Sequence, residues 1–183
     1  MALTSRGRAL RWLTNHRGIT EQPAGSNCDT RKDGIRAAQL RVAGGAGYLL
    51  RAAWCGTWFG RALIAGGVSH VTGRIASVAF IEDDARAGRG PFNGWHSGPF
   101  TRHDWERTIF RGDGVVLFGR GIHVATLRDA VFNSRGVLLY VITDEGNTSS
   151  GNAGSQDNGG GAFRRVRPAS AIHGIARVNY PNR

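Results

Sequence analysis

The chain has 183 residues and carries 24 basic against 13 acidic side chains, a net charge of +11 with its six histidines neutral. A hydrophobic content of 40%, with five tryptophans and eight phenylalanines, excludes compositional disorder, and 28 glycines without a three-residue period exclude a collagen-like fibre. Such a length fits one domain, residues 1–183, with a core that needs no metal or disulfide staple.

Arginines at 6, 8 and 11 interrupt any apolar run at the start, so this segment does not read as a secretory signal. Residues 3–15 instead predict a short basic helix, with Leu3, Leu10 and Leu13 beside Trp12. Gly18–Gly34 is polar and turn-rich and predicts a loop. Ile35–Val42 predicts a helix broken by Gly44-Gly45-Ala46-Gly47. Between Trp54 and Ala65 the apolar residues at 55, 58, 59, 62 and 63 predict a core-facing helix, which Gly66-Gly67 ends. Ser77–Ala87 predicts another helix, with Glu82, Asp83 and Asp84 exposed. Residues 88–112 lack a clear period and read as a long ordered loop carrying Trp95, His96, His103 and Trp105.

After residue 112 the pattern changes. Val115–Phe118, Ile122–Leu127, Val137–Ile142, Gly161–Val166 and Ile172–Val178 are β-prone runs separated by Gly, Asn, Asp and Ser. Gly146–Gly160 reads as an exposed, mobile loop. Helices first and an antiparallel sheet afterwards make an α+β order. No apolar stretch is long enough to span a bilayer. Two cysteines, Cys28 and Cys55, are not a disulfide framework.

Three places carry chemistry. Cys55 lies at the start of the apolar helix, where unsatisfied N–H groups and the positive dipole end favour a thiolate and could face an oxyanion. Taken alone, a cysteine in an apolar helix is more often an inert core residue. His123 falls in a predicted strand, whose alternation places it with Ala125 and Leu127, opposite Ile122 and Val124. Glu145 and Asn147 follow the strand Val137–Ile142 at i and i+2, so both can reach one face and accept from an imidazole N–H. A polar strand-end turn is the plainer reading of that pair. Together they supply a thiol, a base and an orienting group, the set that covalent catalysis at an acyl centre requires.

Six segments in order resemble the CHAP group of the NlpC/P60-type, papain-like peptidoglycan hydrolases, most like a phage endolysin catalytic domain. Glu21-Gln22-Pro23-Ala24-Gly25-Ser26-Asn27 resembles the entry segment E-x-P-x-G-S-N, and Ala53-Trp54-Cys55-Gly56-Thr57-Trp58-Phe59 the nucleophile helix P-W-C-A-x-F. Arg111-Gly112-Asp113-Gly114-Val115-Val116-Leu117-Phe118 resembles G-D-x-V-x-F, and Ile122-His123-Val124-Ala125 the H-V-G histidine strand. Glu145-Gly146-Asn147-Thr148-Ser149 matches E-G-N-T-S, and Gly159–Arg165 the return strand G-G-x-x-x-R. The chain departs from the pattern at Gly56, Thr57 and Ala125 and in the length of 88–112, and Asp144 has no counterpart in it.

The resemblance implies a papain-like fold of helices packed on an antiparallel sheet, its motif-bearing core running from about residue 18 to 180. It implies Cys55 as nucleophile, His123 as general base and acid, Glu145 as the orienting carboxylate and Asn147 beside it. The implied substrate is a peptidoglycan stem-peptide amide, cleaved as an endopeptidase or as an N-acetylmuramoyl-L-alanine amidase in a reaction that needs no cofactor. No metal is expected either, since no Cys or His pair has zinc-site spacing and neither Asp29 and Asp33 nor Glu82-Asp83-Asp84 matches a calcium loop. Gly25, Ser26, Asn27, Trp54, Trp95 and His96 are the candidates to line the substrate groove.

The positive charge then reads as attraction to an anionic wall surface rather than to a specific nucleic acid. A monomer made in a host cytoplasm without a signal peptide, and passed to the wall by a holin or a similar route, is the expected setting. The alternatives are a basic nucleic-acid-binding module, favoured by Arg6-Gly7-Arg8 and Arg164-Arg165-Val166-Arg167, and a papain-like enzyme with a different substrate. No helix-turn-helix, zinc finger or RNA-binding aromatic motif supports the first. Arg111-Gly112-Asp113 reads as a strand entry, and Cys28 as a packing residue.

Overall fold

The computed structural model describes residues 2–150 and 159–181. Among these residues five helices, α1 (Ser5–Asn15), α2 (Ile35–Val42), α3 (Cys55–Ala65), α4 (Val78–Arg86) and α5 (Arg102–Arg107), accompany six strands. The strands are β1 (Phe92–His96), β2 (Gly114–Leu117), β3 (His123–Phe132), β4 (Leu138–Thr148), β5 (Gly161–Pro168) and β6 (Ile172–Val178). They form one antiparallel sheet in the order β1-β6-β2-β3-β4-β5. The architecture is α+β, with four helices before the first strand and most of the sheet in the second half of the chain. Among the described residues no helix is long and apolar enough to cross a membrane.

Helix ends follow side-chain chemistry. Thr4 Oγ1 accepts the Gly7 N–H at 3.1 Å to start α1, and Ser77 accepts that of Phe80 to start α4. The region 88–112 is not a continuous loop. It contains β1, an edge strand paired only with β6, and α5, opened by a reciprocal capping box between Thr101 and Asp104. Gly94 and an irregular register hide the strand's alternation.

The acidic run on α4 is also not an exposed face. Glu82 is buried between Arg86 and His173, and Asp84 between Arg74 and Arg89, leaving Asp83 partly open beside Arg120. The Gly146–Gly160 reading is corrected in part, because Gly146–Thr148 belong to β4 and are buried; residues 151–158 lie outside the described residues. Polar residue types in Thr143–Thr148 read as a turn, yet they are buried side by side at the end of a strand.

The sheet buries both faces. On one, Val116, Val124, Ala176 and Val178 pack with Cys55, Phe59 and Leu63 of α3 and Ile81 and Ala85 of α4. On the other, Val115, Leu117, Ala125, Leu127, Val141 and Ile175 form a second core, flanked by Phe100, Trp105 and Phe132. Trp12, Trp54 and Trp58 join α1, α2 and α3 in a third. Period-two alternation along β2 and β3 thus feeds two cores at once.

Asp113 locks the entry of β2. Its fully buried carboxylate accepts the N–H groups of Phe110 at 2.9 Å and Val178 at 3.0 Å, which joins the turn before β2 to the end of β6.

Candidate active site

Cys55 is the first residue of α3, and three contacts fix where that helix begins. Trp54 precedes it and is fully buried, its indole N–H donating to Glu21 Oε1 at 2.9 Å and its ring edge-on to Trp58 at 5.2 Å. The Gln39 amide donates to the carbonyls of Asn27 and Ala52, at 3.1 and 3.0 Å, so α2 ties the entry segment to the turn before Cys55. Gly56 then lets the 3-10 turn Gly73–Ala76 close onto the helix: a Cβ there would lie 2.2 Å from the Ile75 carbonyl oxygen.

His123 is the first residue of β3 and is fully buried. Its Nε2 lies 3.2 Å from Glu145 Oε2, and its Nδ1, which makes no conventional hydrogen bond, is the nitrogen left for the Cys55 sulfur. Backbone N–H groups of Gly56 and Val124 also point at the sulfur. Glu145 reaches His123 because a neighbouring residue is missing a side chain: a Cβ on Gly146 would stand 2.6 Å from Trp58 Cβ, so this end of β4 lies directly against α3.

Electrostatics follow from that geometry. Burial pushes the Cys55 thiol up, but the His123 imidazole and the two N–H groups outweigh it and hold the thiol below its ordinary value. Burial works to lower His123, and Cys55 and Glu145 overcome it, raising the imidazole to about 9. Burial likewise opposes the Glu145 carboxylate, which Arg167 and His123 nonetheless hold at about 2. The thiol, imidazole, carboxylate and guanidinium of Cys55, His123, Glu145 and Arg167 therefore follow one another through a buried site, the first three each shifted toward the charged form.

Arg167 is the residue that sequence reasoning passed over. It is buried, and its Nε and Nη2 clasp Glu145 Oε1 and Oε2 at 2.8 and 2.6 Å. Thr143 Oγ1 donates to Glu145 Oε1 at 2.6 Å, so the carboxylate is held from three sides. The signal was present: β5 alternates buried 165 and 167 with exposed 164 and 166, and a buried strand cation needs an acid. Read as a basic run, Arg164–Arg167 concealed that alternation. Asp144 points elsewhere, pairing with Arg128 and with Arg164 Nε at 3.0 Å, which leaves Glu145 as the imidazole's carboxylate.

Cys55, His123 and Glu145 are thus brought together. Asn147 lies two residues further along β4, fully buried, with φ +60° where the β4–β5 register shifts, and its carbonyl accepts the Gly159 N–H at 3.0 Å. Gly25, Ser26 and Asn27 form an irregular turn whose Asn27 carbonyl is held by Gln39. Trp54 presents no open surface, so its side chain anchors α3 instead of lining a groove.

Trp95 and His96 are placed apart from the cluster. They lie on β1, separated from β3 by β6 and β2. Trp95 packs by His173 and under the Arg86 guanidinium, and His96 Nε2 faces Asp104 at 3.3 Å. Cys28 is half-buried, its thiol directed at the Asp29 carbonyl. A cavity of about 380 Å³ between the Gly73–Ala76 turn and β1 is lined by Arg74, Asp84 and Arg89 and by none of the three clustered residues. No family model matches the chain, and neither does any curated protein or solved structure.

Proposed function

We propose that the chain is a papain-like cysteine hydrolase of the NlpC/P60 type, in the CHAP group, that cleaves an amide bond of bacterial peptidoglycan. One observation carries the reading: a thiol at a helix start faces a buried imidazole whose far nitrogen is held by a carboxylate. Inert core cysteines have no use for that arrangement, and a nucleic-acid module has none for a buried Cys–His–Glu chain. The motif order from Glu21 to Arg165 supports the wall as the setting.

In the reaction the Cys55 thiolate attacks the carbonyl carbon, and N–H groups at the start of α3 stabilise the oxyanion. The C–N bond breaks as the His123 imidazolium gives its proton to the departing amine. Water then donates a proton to the neutral imidazole and its oxygen attacks the thioester, and the C–S bond breaks to release the acid. Glu145 holds His123 in one orientation and stabilises its cationic form, and Arg167 with Thr143 keeps Glu145 ionised.

Incubation of the purified protein with peptidoglycan, followed by mass analysis of the released fragments, tests this. New amino groups with intact glycan strands are expected, and the fragments distinguish stem-peptide endopeptidase from N-acetylmuramoyl-L-alanine amidase. C55A and H123A should abolish cleavage while near-ultraviolet circular dichroism shows an intact fold. Cleavage by C55A at the wild-type rate overturns the mechanism. A sequence-selective nucleic-acid complex with no wall cleavage would favour the basic binding module.

A further inference from the structure

The turn joining β2 to β3, Phe118–Ile122, stands beside His123 and carries an open apolar side chain at each end, Phe118 at 42% and Ile122 at 44% exposure. Phe118 is also the less expected residue for its backbone: its φ is +66°, a left-handed conformation in which a bulky side chain is strained.

The turn is held firmly. The Phe118 N–H donates to the Ala171 carbonyl at 2.8 Å, and the Arg120 guanidinium reaches Asp83 of α4 at 2.7 Å. Gly121 leans on Ala79, where a Cβ would sit 3.7 Å from the alanine's own. The Phe118 ring lies 6.3 Å from the His123 ring, and the Arg167 guanidinium carbon is 5.2 Å from its centroid. A strained, half-open aromatic is therefore fixed beside the imidazole, one face backed by the guanidinium that clasps Glu145.

We propose that Phe118, with Ile122 at the other end of its turn, is the apolar seat for the substrate residue whose amine departs, and selects a small neutral aliphatic side chain there over a charged one. The proposal rests on the amide-hydrolase reading, because only then does His123 protonate a leaving amine. That proton transfer requires the amine nitrogen within hydrogen-bond reach of His123. The side chain on the same residue then branches one Cα from that nitrogen, within reach of Phe118 and Ile122, the large apolar groups of this turn. An alanyl methyl loses water against the ring. A carboxylate there would lose hydration against Phe118 and Ile122, while the nearby guanidiniums are already engaged, Arg120 by Asp83 and Arg167 by Glu145.

Two synthetic stem-peptide substrates, differing only in alanine or glutamate on the amine side of the scissile bond, test this. Wild-type kcat/KM should favour alanine by about tenfold, on the scale that apolar pockets discriminate. F118S and F118G should both reduce that preference to about threefold or less, chiefly through KM. The pH profile of Cys55 alkylation should stay in place in both, since the ring acts on substrate and not on the ion pair. Retained preference in F118G, whose glycine accepts the left-handed backbone, would assign selectivity to the turn's path and overturn the proposal. A displaced alkylation profile would overturn it too, making Phe118 a positioning residue for His123. Failure of the wild type to cleave either peptide or whole peptidoglycan removes the amide-hydrolase reading, and this proposal with it.

Discussion

Arg167 decides whether Glu145 can do its work. A carboxylate with no exposed surface is costly unless its charge is answered, and the guanidinium fork answers both oxygens while His123 takes one edge. Removing the fork leaves a buried charge unmatched, so R167A should cost roughly 3–5 kcal/mol in denaturant unfolding. R167K is the sharper probe, because it keeps the charge and loses the planar fit. Thiol alkylation of the wild type should rise with pH from a limb below the ordinary thiol range, then change again near 9 as His123 loses its proton. Glu145 is part of what raises His123, so loosening the carboxylate in R167K should move that upper limb downward from about 9. An unmoved limb would mean that Arg167 serves stability alone. Cys55 and His123 were legible as a thiol at a helix start and an imidazole in a strand, whereas Glu145 stood out through the order of motifs, its own segment reading as a turn. Arg167 was not legible, because in a chain so rich in arginine a functional guanidinium looks like its neighbours, and only burial separates it from them.

Glycine at positions 56 and 146 lets α3, β4 and the Gly73–Ala76 turn come close enough to bring thiol and carboxylate to one imidazole. The helices α2, α3 and α4 and strand β6 were readable from apolar period and glycine stops, since their burial repeats along the chain. The extensions of β3 and β4 were not, because Asp129, Asp144 and Glu145 are polar residues answered by groups distant in sequence, Asp129 by Arg111, Asp144 by Arg128 and Arg164, and Glu145 by His123 and Arg167. Gly56 looked like a departure from the nucleophile motif, and the Ile75 carbonyl explains it. G56A should therefore lose about 1–3 kcal/mol, the usual scale of overpacking, and lose thiol reactivity with it as the turn is pushed away. Chemical denaturation and alkylation rate measure the two effects. The β2 entry gives a second prediction with a definite sign. Burial pushes Asp113 up to about 6, against the pull of the Val178 and Phe110 N–H groups and Arg6, so its folded value exceeds its ordinary 3.8. The folded state then gains most from this group below pH 3.8, and loses that contribution as pH rises through 6. Two pH units correspond to about 3 kcal/mol. Subtracting the stability profile of D113N from that of the wild type should show such a decline between pH 4 and 7. A flat difference would show that the two N–H donors fully offset the burial.

Across the whole molecule the charge is unevenly spent. Residues 1–51 hold nine basic and three acidic side chains, a surplus of six out of the chain's +11. Beyond them most acids are engaged by arginines: Glu82, Asp83, Asp84, Asp129, Asp144 and Glu145 each have at least one. The later arginines thus largely build the fold and the site, while Arg11, Arg31, Arg36 and Arg41 of the first segment are exposed. Exposed charges act over about a Debye length, roughly 8 Å at physiological ionic strength, so they influence encounter far more than they influence a buried ion pair. If the wall is the partner, these arginines should govern attachment and leave the chemistry alone. Replacing all four by glutamine should weaken sedimentation with anionic walls and flatten its dependence on salt, and kcat/KM for a short neutral peptide should stay within about twofold, because surface substitutions rarely disturb a distant site. The same variant with duplex DNA gives the contrast: a nucleic-acid module would lose affinity there in proportion to the phosphates it had neutralised. Loss of short-peptide cleavage in the variant would show that the basic segment, which leads through the entry loop to Gln39 and Ala52, reaches the thiol through the structure and not through the field.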